Sequence, residues 1–135
     1  MKRAVLAIRN RLVLEAVANA LKRTGFFVEK SSSQETARIL TLTNALSATT
    51  LVMDVTRSGD GTFAMRMDTA REVRRQNPEI KIALLCDNVS DESSAYKVKC
   101  AKEDGSIDAF FYESVPSDYL ADAIDALYRT KTENY

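Results

Sequence analysis

The sequence contains no histidine, and cysteine, proline and glycine are scarce. Without histidine, the chain cannot form a histidine-containing catalytic triad, a zinc site with imidazole ligands or an imidazole proton relay. Cys86 and Cys100 are the two cysteines, which is too few for a four-thiolate metal site. Four glycines and two prolines in 135 residues are fewer than a β-sandwich with many tight turns needs. The composition therefore favours helices joined by short loops.

The chain also lacks a long apolar segment. No run approaches the roughly 18 apolar residues that span a bilayer. After Lys2 and Arg3 only a short apolar run precedes Arg9 and Arg11, which is unlike a signal peptide. We therefore expect no membrane association, a cytoplasmic location and reduced cysteines.

Neither sign of charge is in excess, because 19 basic residues balance 19 acidic ones. A nucleic-acid-binding domain needs a basic surface that neutralises phosphates, so we expect no nucleic-acid partner. The charges are nevertheless unevenly distributed. Residues 1–75 contain 13 Lys and Arg against 7 Asp and Glu, whereas residues 76–135 contain 6 against 12. This distribution is compatible with opposite faces of opposite sign.

Short apolar segments alternate with segments of helical periodicity along the whole chain. The apolar segments predict five strands, at residues 3–8, 26–30, 49–55, 81–86 and 108–112, each followed by a helix. Strands that are apolar throughout indicate a parallel sheet covered on both faces. Right-handed crossovers then give a doubly wound α/β sandwich of three layers. The length fits one domain over residues 1–129, followed by a polar tail over 130–135.

Several residues give local signals for helices. Asn10 is placed to cap the first helix, and Ser32 with Glu35 fits a capping box for the second. The third helix carries four arginines, which are most simply explained as a solvated face: Arg66, Arg71, Arg74 and Arg75.

The functional site of such a sheet lies beyond the carboxyl ends of its strands. Four segments occupy that edge, at residues 8–10, 54–57, 86–88 and 112–114. Asp54 closes the third strand and is the one acidic residue in the first two of these segments.

The order and spacing of these elements resemble the receiver domain of bacterial response regulators. The resemblance covers nearly the whole chain. It rests on Gly105 before the fifth strand, Pro116 before the last helix, and above all the run Leu51-Val52-Met53-Asp54-Val55 before a glycine-containing loop. It implies the flavodoxin-like strand order 2-1-3-4-5 and places Asp54 at the phosphoacceptor position.

The other positions of the receiver pattern are replaced. Ile8 and Arg9, with Asn10 next, stand where the family has its magnesium-binding acidic pair. Cys86 stands at the position of the switch threonine or serine. Either Glu113 or Tyr112 stands at the position of the lysine, depending on the register of the fifth strand. The resemblance therefore implies a degenerate receiver, or pseudo-receiver.

These replacements remove the ligands that a magnesium ion prefers. Asp54 and the carbonyl of Thr56 alone are a poor set of oxygen donors, so we expect no cofactor. We hypothesise instead that the guanidinium of Arg9 pairs with Asp54 and fixes one state of the domain. Cys86 is expected to be a small buried apolar residue rather than a redox sensor.

Two classes of function remain open. The first is a stand-alone, non-enzymatic receiver-like module that acts through a protein partner, a histidine kinase or a homodimer. Its contact face would lie on the fourth helix, fifth strand and fifth helix and include Tyr96, Phe111, Tyr119 and Asp122. The second is a flavodoxin-like domain that binds a flavin or nucleotide, or a small enzyme. No glycine-rich phosphate loop follows the first strand, although the arginines there could contact an anion.

Overall fold

A computed structural model describes residues 2–57, 59–86 and 92–129 of the protein. Strands and helices alternate along the chain, as the sequence predicts. In chain order they are β1 (Arg3–Ala7), α1 (Arg11–Arg23), β2 (Phe27–Lys30), α2 (Thr36–Leu46), β3 (Thr50–Asp54), a 3-10 turn (Gly59–Gly61), α3 (Phe63–Gln76), β4 (Lys81–Cys86), α4 (Glu92–Glu103), β5 (Ala109–Tyr112) and α5 (Ser117–Ala126).

The five strands form one parallel sheet in the order β2-β1-β3-β4-β5, which confirms the predicted topology. The register pairs Ala7 with Met53 and Asp54 with Leu85. The carboxyl ends of β1, β3 and β4 therefore meet at one edge of the sheet. This edge is where the sequence predicts the functional site.

Side chains alternate between the two faces of the sheet and fill two separate cores. On one face, Val52 and its neighbours pack against α1 and α5. On the other face, Met53 and its neighbours pack against α2, α3 and α4. The edge strand β2 differs from the prediction of fully covered strands, because its side chains alternate between exposed and half-buried.

The two predicted helix caps have different outcomes. The side chain of Asn10 accepts hydrogen bonds from the backbone amides of Leu12 and Val13, as predicted. The Ser32–Glu35 capping box is wrong, because α2 begins later and Glu35 makes no capping hydrogen bond through its side chain. Instead, the amide of Glu35 donates to the hydroxyl of Ser33 at 3.1 Å.

Two predicted segments lie wholly or partly outside the described residues: the edge segment at 86–88 beyond Cys86, and the polar tail over 130–135. Within the described ranges, no helix has the length and apolar character needed to cross a membrane.

The packing of α1 predicts that two of its leucines contribute very differently to the free energy of unfolding. Leu21 is fully buried and Leu12 is 85% exposed. Leu21→Ala should lower the free energy of unfolding by about 2–5 kcal/mol, since it removes buried apolar surface and leaves a cavity. Leu12→Ala, the matched control, should change it by less than about 0.5 kcal/mol. Urea denaturation measures both, and equal losses would contradict the described packing.

Candidate functional site

Asp54 is the last residue of β3, and its side chain is 2% exposed. Both carboxylate oxygens accept hydrogen bonds. The backbone amide of Arg9 donates to Oδ2 at 3.0 Å. The guanidinium of Arg66 donates to Oδ1 through Nη2 at 2.9 Å and forms a buried ion pair. The carboxylate is thus enclosed and already compensated in charge.

Arg66 holds several elements together from the first turns of α3. Its side chain is 0% exposed. Nε donates to the backbone carbonyl of Asp54 at 2.7 Å, and Nη2 also donates to the carbonyl of Ala7 at 3.0 Å. Nη2 lies 2.5 Å from Oε1 of Gln34, in the segment before α2. One guanidinium therefore joins β1, β3 and the approach to α2.

The burial of Arg66 corrects the prediction that all four arginines of α3 form a solvated face. Arg66 precedes the buried residues Ala70 and Val73 by four and seven positions, so it lies on the same stripe of the helix. This helical spacing was the signal in the sequence that could have identified it. Arg74 is half-buried and pairs with Asp108 at 2.5 Å.

The remaining two arginines follow the prediction. Arg71 and Arg75 are exposed and pair with acidic residues of their own helix, Asp68 and Glu72.

Burial is the main influence on the pKa of Arg66. It lowers the pKa of the Arg66 guanidinium, while the charge of Asp54 and its hydrogen bond act in the opposite direction. The nearby charge of Arg9 lowers this pKa further. Arginine remains protonated at neutral pH in proteins, so the buried pair is ionic. Among the described residues, Nη1 of Arg66 has no hydrogen-bond partner.

The structure also corrects the hypothesis of an Arg9–Asp54 ion pair. The guanidinium that pairs with Asp54 belongs to Arg66, and Arg9 contacts the carboxylate through its backbone amide. The Arg9 side chain extends toward the loop after β3. Its Nη1 lies 3.0 Å from the position that a Cβ on Gly59 would occupy. Arg9 therefore covers the loop beside the site.

The loop between β3 and α3 is held close to the strand end. The amide of Thr56 donates to the carbonyl of Gly61 at 2.7 Å. A Cβ on Gly61 would lie only 2.5 Å from Oγ1 of Thr56, so a residue other than glycine would force the loop apart. Thr56 thus contributes to the shape of the loop through its amide and its side chain.

The other predicted site residues have structural positions around Asp54. Ile8 is buried in the α1 side of the core, and Asn10 caps α1. Cys86 is fully buried, with Sγ 3.7 Å from the carbonyl oxygen of Phe111. This position fits the expectation of a small apolar residue.

The register of β5 distinguishes Glu113 from Tyr112. Cys86 pairs with Tyr112, and the amide of Glu113 donates to the carbonyl of Cys86 at 3.0 Å. Because side chains alternate, Glu113 lies on the same sheet face as Phe111, which is the face that packs against α1 and α5. Glu113 and Leu85 line a cavity of about 200 Å³ there. An acidic residue therefore follows β5 beside α1.

The residues around Asp54 do not fit a magnesium ion. Magnesium requires oxygen ligands in near-octahedral geometry. Within the described parts of the chain, no cluster of three or more acidic, cysteine or histidine side chains could hold a metal. Both oxygens of Asp54 already have donors, and one of these donors is a cation.

The predicted contact face stays a prediction, and its residues differ in exposure. Tyr96 on α4 is 69% exposed, Tyr119 on α5 is 63% exposed, and Asp122 is exposed as well. The inclusion of Phe111 is wrong, because its side chain points toward α1 and α5 and is buried. The alternation of β5 instead turns Phe110 and Tyr112 toward the other core, where their rings meet edge to face.

Comparison with known proteins identifies the fold. No family model matches the sequence, and no curated protein matches it. A response regulator receiver domain from Clostridium thermocellum has a TM-score of 0.75 and 18% identity, and the match covers 100% of each chain.

Two further solved structures have the same fold. The inactive regulatory domain of the repressor of iron transport regulator has a TM-score of 0.71 and 18% identity, over 96% of this chain and 97% of that one. The regulator TrrA from Thermotoga maritima, in complex with magnesium and BeF, has a TM-score of 0.66 and 20% identity, over 94% and 99%. The chain therefore has the fold of a response regulator receiver domain.

The Arg66–Asp54 pair predicts a large and specific loss of stability. Arg66→Met should lower the free energy of unfolding by about 3–5 kcal/mol, because it leaves the buried carboxylate of Asp54 without its cation. Arg71→Met is the matched control on the same helix, since it breaks an exposed ion pair worth at most about 1 kcal/mol. Denaturant unfolding compares the two, and similar losses would show that the buried pair is dispensable.

Proposed function

We propose that the protein is a receiver-like signalling module that acts through protein contacts and whose Asp54 is not phosphorylated. The observation that carries this proposal is the enclosure of Asp54, with both carboxylate oxygens bonded and Arg66 as its buried counter-charge. The receiver fold supports a role in two-component signalling. The enclosed and charge-compensated Asp54 supports a form of that role without phosphorylation.

Phosphorylation of a carboxylate needs an oxygen that can reach the phosphorus atom. In this protein, Oδ1 receives a hydrogen bond from Arg66, Oδ2 receives one from the amide of Arg9, and the side chain is 2% exposed. An attacking oxygen would keep a second lone pair, but its negative charge is shared with Arg66, and the burial of the side chain leaves a phosphodonor little room to approach. The ground state is therefore stabilised against reaction.

Magnesium would not assist such a reaction at this site. In phosphoryl transfer, a metal neutralises the charge that gathers around the phosphorus. Ile8 and Arg9 provide no carboxylate at the start of α1, and Glu113 adds a negative charge rather than a cation after β5. We infer that the module binds no magnesium at Asp54 and has no enzymatic activity of its own.

An output must then pass through a surface, and the exposed face of α4 and α5 is the strongest candidate. Tyr96 and Tyr119 provide large aromatic side chains, which are enriched at protein interfaces. Asp122 lies nearby on α5, where Asp118 and Asp125 pair with cations of other elements. The exposed lysines of α4 balance the acidic charge of α5, so the two exposed tyrosines are the main feature that a partner would contact. A histidine kinase and a second copy of the chain are further partners of this face to test.

The proposal predicts that a small phosphodonor leaves the protein unmodified. Incubation with acetyl phosphate and magnesium should give no phosphoryl adduct by intact-mass spectrometry, because Asp54 is enclosed and the described residues contain no cluster of side chains that could hold a metal beside it. A conventional receiver domain labelled in parallel is the positive control. An adduct on the wild type that is absent from Asp54→Ala would overturn the proposal.

The contact face predicts a loss of partner binding without a loss of folding. The double variant Tyr96→Ser, Tyr119→Ser should weaken partner or self-association at least about tenfold, since interface tyrosines commonly carry much of the binding energy. Phe27→Ser on the edge strand β2 is the matched control, because it removes another exposed aromatic ring. Crosslinking and sedimentation velocity distinguish a second copy from a different partner. Equal effects of both variants would argue against the α4–α5 face.

A further inference from the structure

A pocket of about 380 Å³ lies between α3 and α4. It shares no lining residue with the contacts of Asp54, because neither Arg9, Gln34 nor Arg66 reaches it. Ligand sites in proteins are commonly concave, of this order of volume, and lined by apolar side chains with a few polar groups. The lining of this pocket has that composition.

Apolar and sulfur-containing side chains form most of the wall. Phe63 and Met67 lie four residues apart on α3, and both pack against the core on this face of the sheet. The α4 side adds Ala101, which is buried, and the side chains of Tyr96 and Cys100. A thioether, a thiol and aromatic rings make favourable contacts with the edge or face of another ring. The wall therefore suits an aromatic ligand.

The tyrosine in this wall is neutral. Its hydrogen bond to Cys100 raises the pKa of the Tyr96 hydroxyl, and the charge of the Cys100 thiolate acts in the same direction. Tyr96 therefore contributes an aromatic ring to the pocket and no charge at neutral pH.

Two opposite charges mark the two ends of the pocket along α4. Lys97 and Asp104 are separated by seven residues, which corresponds to about 10 Å along a helix axis. Oδ1 of Asp104 accepts from the amide of Ser106 at 2.9 Å and from its hydroxyl at 2.6 Å. These hydrogen bonds lower the pKa of the Asp104 carboxyl, so it is ionised at neutral pH.

Lys97 is the cation of this pocket that remains available to a ligand. Among the residues that the structure describes, its ammonium group takes part in none of the ion pairs. Arg71 also lines the pocket, but its charge is balanced by Asp68 of the same helix. One available cation suits a ligand that carries one negative charge.

We propose that the pocket binds a small aromatic acid with one carboxylate and, at its opposite end, an N–H or O–H donor. The carboxylate meets the ammonium group of Lys97. The ring contacts Phe63, Met67 and Tyr96, and the donor faces the carboxylate of Asp104. The ligand is bound and undergoes no reaction.

This inference is independent of the proposed signalling role. Because the pocket shares no side chain with the contacts of Asp54, a failure of ligand binding would leave the enclosure of Asp54 unchanged. A phosphoryl adduct on Asp54 would likewise leave the lining of the pocket unchanged. The two proposals therefore fail in different experiments.

The two cysteines allow a test that also locates the ligand. Cys100 lines the pocket and is partly exposed, whereas Cys86 is 0% exposed. Iodoacetamide should therefore modify Cys100 of the folded protein in preference to Cys86, and peptide mass spectrometry distinguishes the two adducts. The probe is indole-3-acetate, whose dissociation constant is first measured by calorimetry. At ten times that constant it should slow the modification of Cys100 about tenfold, since only the unoccupied fraction exposes the thiol.

A charge variant and a charge-reversed probe test the role of Lys97. Lys97→Gln should weaken binding of indole-3-acetate about tenfold, which corresponds to one charge-assisted hydrogen bond. Lys99→Gln is the matched control, because it removes an exposed cation of the same helix that does not line the pocket. Tryptamine, which carries an amine in place of the carboxylate, should bind at least about tenfold more weakly than indole-3-acetate. Both variants should keep the unfolding midpoint of the wild type, because both lysines are exposed.

Four results would overturn the inference. The first is the absence of binding heat with indole-3-acetate at millimolar concentration, and the second is binding that does not protect Cys100. The third is an equal loss of affinity in Lys97→Gln and Lys99→Gln, which would reveal only a general attraction of anions to surface cations. The fourth is tighter binding of tryptamine, which would show that Asp104 rather than Lys97 selects the ligand.

Discussion

The buried ion pair of Arg66 and Asp54 constrains everything at the carboxyl edge of the sheet. Burying two charges costs several kcal/mol per ion unless their hydrogen-bonding groups are also satisfied. The surroundings meet much of this demand, because the carbonyls of Ala7 and Asp54, the amide of Arg9 and the side chain of Gln34 all bond to the pair. The positions of β1, β3, α3 and the approach to α2 are therefore tied to one guanidinium.

The same pair places a positive charge from the protein itself beside the Asp54 carboxylate. A related fold has been solved in complex with magnesium and BeF. Here the cation beside the carboxylate is a side chain of α3, covalently part of the protein and always present. A group of this kind cannot be exchanged or removed, so the charge of Asp54 is balanced in every state in which α3 stays docked.

The fold was largely predictable because its main signals are local. Short apolar segments set the strands, and the cap at Asn10 and the helical spacing of apolar residues set the first helix. Of the predictions that failed, one has a local cause and another depends on contacts between distant segments. The capping box at Ser32 failed because Ser33 bonds the amide of Glu35 instead. Phe111 is buried, contrary to the prediction. The register of β5 against β4 sets the sheet face toward which each β5 side chain points, and this register is a tertiary contact.

The sequence by itself determined the order of elements, the parallel sheet and the place of Asp54 at the end of its third strand, because each follows from periodicity and spacing along the chain. It also determined that no carboxylate directly follows the first strand, since Ile8, Arg9 and Asn10 are read directly. Only the tertiary structure decided which arginine meets Asp54. Arg9 is near in the fold through its backbone, but Arg66 reaches the carboxylate because the buried stripe of α3 faces the sheet. That choice depends on how a helix docks, which no local pattern specifies.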